Sequence, residues 1–218
     1  MKKAILILFT ILLSKFTQAQ LFDNYSLKLG LGFSNLHWEY KNDNLSDHNN
    51  WKDDKLGFNF FLNAEKKLTS LISIRPEIGY IQKGFKENVI YSKTINDLAE
   101  NLKTNVTLHN VSGDIGIKFT PIEHYIKPYF ITGLRGSYMI GYKDFEIESE
   151  GNLIGAYKST IEDFNKFNLS GLIGLGIQFK EVFYLEFEYN PAISKNLNDP
   201  LKSIKERYYG LSIGLYFK

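Results

Sequence analysis

Four histidines, His37, His48, His109 and His124, are the residues best suited to move a proton near neutral pH, and no two of them stand at a close metal-ligand spacing. His48 lies among Asp43, Asp47, Asp53 and Asp54, hard oxygen donors suited to a divalent cation or to cation-bridged lipopolysaccharide. Counted from Asp43, no glycine stands sixth and no glutamate twelfth, so the calcium-loop pattern fails and a solvated acidic loop is the plainer reading. His37 is the histidine placed near the outer end of a strand. Ser34 or Ser137 beside it would make a serine hydrolase of the outer leaflet, with the imidazole as base. No motif links them, and the structural alternative is that His37 caps the strand end beside Trp38. Neither a phosphate-cradling glycine loop nor a nucleotide motif is present. The reading therefore assigns no catalytic, cofactor-binding or metal residue, and expects no cofactor.

A second chemical set is scattered through apolar stretches: Lys28, Glu65, Arg75, Glu77, Asp114, Lys118, Arg135, Glu186 and Glu188, four basic and five acidic. Such charges either line an ion path or pair into a plug. Buried charges persist only when paired, which favours the plug.

Eight stretches of alternating apolar and polar residues position these groups, at 25–38, 55–66, 71–85, 106–120, 126–142, 167–180, 183–190 and 207–217. Long polar connectors at 41–54, 86–105, 143–166 and 191–206 alternate with short ones at 67–70, 121–125 and around Glu181. That rhythm predicts an all-β fold, an eight-stranded antiparallel up-and-down transmembrane β-barrel with tight turns on one side and long loops on the other. The third long loop, with Phe145, Ile147, Leu153, Ile154 and Tyr157, is expected to extend strands five and six above the membrane.

Period two puts Leu27, Leu29, Leu31 and Phe33 on one face of strand one, with Ser26, Lys28, Gly30 and Ser34 on the other. Glycine placement suggests which face is inside. Eleven of fifteen strand glycines share the polar face: 30, 32, 57, 79, 116, 133, 141, 174, 176, 210 and 214. A narrow eight-stranded bore needs such small residues beside large ones. A soluble lipocalin-like ligand-binding barrel is the alternative, with the apolar face turned inward around a cavity. Aromatic girdles are expected at both membrane edges: Trp38, Tyr40, Tyr142, Tyr189 and Tyr208 on the outer side, and Tyr25, Phe119, Phe130, Phe179, Phe183 and Phe217 on the inner. Three strands end alike, in Gly116-Ile-Lys-Phe119, Gly176-Ile-Gln-Phe179 and Gly214-Leu-Tyr-Phe217.

Residues 1–19 carry the marks of an export signal: Lys2 and Lys3, an apolar run at 4–13, and Thr17-Gln18-Ala19 as the cleavage site. The expected organisation is thus a signal peptide at 1–19 and an outer-membrane barrel domain at 20–218. The whole chain has a formal charge of +2, and the three lysines of the leader leave the remainder nearly neutral, against nucleic acid as a partner. With no cysteine, no disulfide framework is available.

Arg75-Pro76-Glu77-Ile78-Gly79-Tyr80-Ile81-Gln82-Lys83-Gly84 resembles the third-strand signature of the PorT-type outer-membrane β-barrel proteins. Lys127-Pro128-Tyr129 followed by Gly133 is similar to that family's fifth strand, and the glycine-rich 171–176 to its sixth. The chain departs from the pattern in ending on Lys218 after the aromatic, and in opening strand four as Leu108-His109-Asn110-Val111 without proline. The resemblance implies a barrel placed in the cell outer membrane by the barrel-assembly machinery; it implies no single biochemical role. The expected function is non-enzymatic: surface anchor and interaction, or envelope accessory, with outer-membrane lipid and a secretion or uptake complex as partners. An outer-membrane lipid hydrolase is the sharper alternative.

Overall fold

Hydrocarbon offers no hydrogen bonds, so a sheet can cross it only if every edge strand finds a partner. The chain is described here from a computed structural model covering residues 21–42, 50–91, 100–149, 152–155, 157–180 and 182–217. The expected leader at 1–19, the loop residues Asp43, Asp47 and His48, Glu181 and Lys218 lie outside the described residues. Eight long strands form the ring: β1 Asn24–Tyr40, β2 Lys55–Lys67, β3 Ile72–Tyr91, β4 Glu100–Phe119, β5 Ile126–Lys143, β6 Phe167–Phe179, β7 Phe183–Pro191 and β8 Lys202–Phe217. Each pairs antiparallel with its neighbour in sequence, and β8 pairs back onto β1 from Tyr25↔Phe217 to Tyr40↔Lys202. The fold is an all-β, eight-stranded antiparallel barrel. Among the described residues no helix is long and apolar enough to cross a membrane.

The alternation resolves into an oily exterior and a charged interior. Leu31 is 56 % exposed and Leu175 61 %, whereas all nine charges in the sequence set are buried. This facing is the reverse of a lipocalin-like barrel and removes that alternative. Inward glycines make room for rings. Tyr208 lies against Gly32, Tyr129 against Gly176 and Tyr184 against Gly214, and a Cβ on any of these glycines would overlap ring atoms. Gly84 meets a different demand: its φ of 141° is closed to ordinary side chains, and its carbonyl accepts a hydrogen bond from Ser34 Oγ.

Strands run further than the composition suggests. β3 continues to Tyr91 and β4 begins at Glu100, inside the connector expected at 86–105, and β8 begins at Lys202 rather than 207. Above the membrane a ladder can continue with polar side chains on both faces, so apolar alternation is a poor guide to where it stops. The third long loop does not extend strands five and six. It folds into its own hairpin, Glu146–Ser149 with Asn152–Gly155, followed by a one-turn helix at Lys158–Glu162.

Several outer aromatics also face differently from expectation. Trp38 (6 % exposed) and Tyr208 (1 %) point inward, and Tyr40 packs against the same interior cluster as Trp38. Each has the even parity of Lys28 or Gly210, so period two places it inside regardless of its height on the strand. Tyr142 turns inward for another reason. Asn110 pairs with Met139 but His109 pairs with Gly141, so Ile140 is an extra residue and the parity of β5 flips beyond it. The same bulge moves Gly141 off the lumen face, beside the outward His109. Tyr189 stacks on Tyr209 outside the barrel at 4.8 Å. At the short-turn end Tyr25 stacks on Phe217 and Phe179 on Phe183, with Phe119 and Phe130 exposed beside each other.

Two outcomes test this architecture. Leu31→Arg and Leu175→Arg should each cost about 2–4 kcal/mol in a urea titration of the barrel in lipid, against within about 0.5 kcal/mol for Leu68→Arg in a tight turn. Unheated and boiled samples should migrate differently in a detergent gel.

Candidate functional site

Ring closure brings side chains from distant strands onto a common axis, and there they form a filled bore. At its centre is Lys28 from β1. Its Nζ donates to Glu77 Oε2 at 2.6 Å and to Glu186 Oε1 at 3.0 Å, and also to Glu188. Arg75 donates from Nη2 to Glu186 Oε1 at 2.8 Å, while its Nε lies 2.7 Å from Glu77 Oε1, off the line of a hydrogen bond, so that contact is electrostatic. Arg135 donates to Asp114 at 2.8 Å, to Glu188 at 2.9 Å and to Asn190 Oδ1 at 2.8 Å. Tyr129 OH donates to Glu186 Oε2 at 2.6 Å. Phe61 offers its ring to two cations, with Lys28 Nζ 5.0 Å and the Arg135 guanidinium 4.6 Å from its centroid.

The carboxylates of Glu77, Glu186 and Glu188 approach within 4.8 Å of one another, close enough to hold a metal ion. The Lys28 ammonium donates to all three, so the chain supplies its own cation there.

A second cluster closes the short-turn end. Lys118 Nζ donates to Glu65 Oε2 at 2.9 Å and to Gln178 Oε1 at 2.8 Å. Tyr216 OH donates to Gln178 Oε1 at 3.1 Å, and Ser73 Oγ to Glu65 at 2.7 Å. Lys118, Gln178 and Tyr216 are the third residues of the three similar strand ends, Gly-Ile-Lys-Phe, Gly-Ile-Gln-Phe and Gly-Leu-Tyr-Phe. The repeated frame turns phenylalanine outward and brings its one variable polar residue inward, where the three meet.

Above the central ions the bore changes character. Phe61, Ile81 and Tyr208 form a small apolar layer, and Lys83 then pairs with Glu206 at 2.6 Å. At the long-loop end a larger cluster fills the mouth: Leu36, Phe85, Val106, Leu108 and Ile204 from the strands, with Trp38 among them. Ile161 and Phe164, from the helix and the residues just after it, complete that cluster with Leu197. Tyr157 rests edge-on against Phe85 and Trp38 and donates to Glu87; burial and that carboxylate push its phenol well above the usual range. The third loop therefore caps the bore.

All nine charges of the sequence set are in this lumen, seven in the central cluster and Glu65 with Lys118 below. Lys83, Glu206, Tyr129, Tyr184 and Tyr216 are lumen residues that the sequence reading does not place there. Lys83 shares the parity of Arg75 and Glu77, so its place was readable; Glu206 fell before the expected start of its strand.

The serine–histidine pair does not form. His37 faces outward, its ring tilted against Trp51 at 4.8 Å, whereas Ser34 and Ser137 are buried in the bore. His109 is also outside, hydrogen-bonded to Tyr80. In the acidic loop, Asp53 is tied through its backbone to Lys86, and Asp54 accepts from Asn35.

Lys28→Met would take the shared cation from three buried carboxylates, leaving Arg75 and Arg135 alone to balance them, and should cost about 3–5 kcal/mol in unfolding titrations, against less than about 1 kcal/mol for Lys66→Met in the exposed Lys66–Asp23 pair. Phe164→Asp should release the cap: protease should cut within 157–166 while the heat-dependent gel shift of the barrel persists.

The family model for the outer membrane protein beta-barrel domain matches residues 17–198. Among solved structures, the attachment invasion locus protein Ail of Yersinia pestis is 16% identical, covering 89% of this chain and 98% of that one with a TM-score of 0.42. OprG of Pseudomonas aeruginosa is 11% identical over 89% and 95%, with a TM-score of 0.49. Neisserial surface protein A is 12% identical over 88% and 97%, with a TM-score of 0.44. No curated protein matches the chain.

Proposed function

The chain belongs to the outer membrane protein beta-barrel domain family and resides in the cell outer membrane, and from that premise we propose that it is a non-enzymatic anchor whose long loops form its working surface. The observation that carries this reading is the packed bore. Arg75, Arg135, Lys28, Phe61, Tyr184 and Tyr208 are each less than 2 % exposed inside it, and an apolar cap covers the loop end. A lumen so occupied favours a structural plug over a conducting path.

In this reading residues 1–19 are a removed signal and 20–218 the barrel domain, inserted by the barrel-assembly machinery in the manner of the PorT-type branch. The short turns face the periplasm and the long loops face outward. Outer-membrane lipid surrounds the apolar belt, and the loops serve surface interaction or a secretion or uptake complex. The near-neutral chain offers nucleic acid no electrostatic footing.

Purified protein in planar bilayers should show no steady conductance; open-channel currents would overturn the plug. Crosslinking in intact cells, followed by identification of attached proteins, should recover an envelope complex through loop residues. Attachment only through belt residues would argue against a loop-borne role.

A further inference from the structure

On the outside of the β1–β8 seam, at the upper edge of the apolar belt, stand Arg207, against the exposed Trp51 and half-buried Tyr209, and the exposed Lys205. The belt on these strands runs from Tyr25 and Phe217 through Leu31 and Leu211 to Phe33 and Tyr209, paired across the seam. The next outward pair is Asn35 with Arg207, and the one above it His37 with Lys205. The change from oil to cation is complete within one step of the ladder.

Arg207 is held in place rather than trailing in solvent. Its Nε donates to Asn35 Oδ1 at 2.8 Å, and Asn35, itself buried, donates through Nδ2 to Asp54. Asp54 thereby sets the amide so that its oxygen faces the arginine. The guanidinium lies 3.9 Å from the Trp51 ring centroid and 5.8 Å from that of Tyr209. Trp51 in turn packs at a tilt against His37. Among the described residues, no carboxylate forms an ion pair with Arg207 or Lys205. The nearby Glu39 lies one step further out, where Ser203 donates to it at 2.9 Å.

A planar guanidinium fixed through Nε and stacked on an indole presents its terminal N–H groups to one side, the geometry that suits a phosphate oxygen pair. At the boundary between acyl chains and water, the anions of that chemistry are lipid headgroups. We propose that Arg207, Lys205, His37 and Trp51 form a binding site for the phosphate of a phosphorylated outer-leaflet lipid. Arg207 binds the phosphate in bidentate fashion, Lys205 adds charge one step above, and Trp51 and Tyr209 pack against the lipid's upper carbons. Asn35 and Asp54 are positioning residues. The assignment to the outer leaflet rests on the orientation proposed above; the site itself needs only the barrel.

The test uses the folded mature chain in detergent micelles, titrated with a bis-phosphorylated acyl-glucosamine lipid and read by native mass spectrometry. Arg207→Gln and Lys205→Gln should each weaken retention about fivefold, the factor equivalent to roughly 1 kcal/mol per headgroup-level cation. The dephosphorylated lipid should bind the unaltered protein as weakly as the double variant binds the phosphorylated one. Retention by both variants as strong as by the unaltered protein, or equal retention of both lipids, overturns the site, and competition by inorganic phosphate at equal concentration overturns a lipid as its ligand. The heat-dependent gel shift reports folding of each variant, and exposed Lys205 supplies a readable substitution should Arg207→Gln misfold. Because binding is read in micelles, an error in loop orientation or loop function leaves this result unchanged.

Discussion

The constraint on which the rest depends is the neutralisation of Lys28 inside a closed ring. An ammonium taken out of water loses several kcal/mol of solvation, recovered only if partners converge on it with good geometry. Those partners come from β3 and β7, each two strands from β1 around the ring, with Glu186 separated from Lys28 by 158 residues in sequence. Glu186 and Glu188 meet it only when β8 has paired with β1. Closure therefore makes the ion cluster possible, and the cluster in turn penalises any register in which the strands slip by one residue, since a slip would turn the charges toward lipid. Phe61 adds a ring face to Lys28, and Tyr129 to Arg75 of the same cluster.

The layers above and below protect that centre. The Lys118–Gln178–Tyr216 group closes the short-turn end, and the cap of Ile161, Phe164 and their strand partners closes the other. Water kept from the middle leaves the ion pairs in a medium where their attraction is strong. The fold thus commits its interior to holding itself together and leaves recognition to its outside. Some of that outside belongs to the loops, and some to the rim where the belt meets the headgroups.

How much of this was legible in the sequence depended on the range of the interaction. Period two along one strand is local, and it correctly turned Leu31 outward and Lys28 inward. The same rule, applied to Trp38 and Tyr208, would have sent them into the bore. Height on the strand, which puts them in a girdle, is a tendency weaker than the pleat. Tyr142 lay beyond this rule, because a single extra residue at Ile140 reverses the parity after it and no local signal marks the bulge. The partners of Lys28 could be named only as members of a balanced set, because which carboxylate meets which cation is decided by stagger around the ring. The cap was hidden for a related reason. Ile161 and Phe164 look like stray apolar residues in a polar loop until the strands they cover are assembled beneath them.

The tyrosines seated against Gly32, Gly176 and Gly214 carry a consequence for the history of such a chain. At each of these places a ring and a missing side chain occupy a shared volume, so neither can drift alone. An alanine would evict the phenol, and losing the phenol would leave a hole that a lone glycine cannot fill. Neutral change at these sites must travel in couples, one residue shrinking as the other grows, and the inner wall should diversify by trading bulk between neighbouring strands more readily than by single exchange.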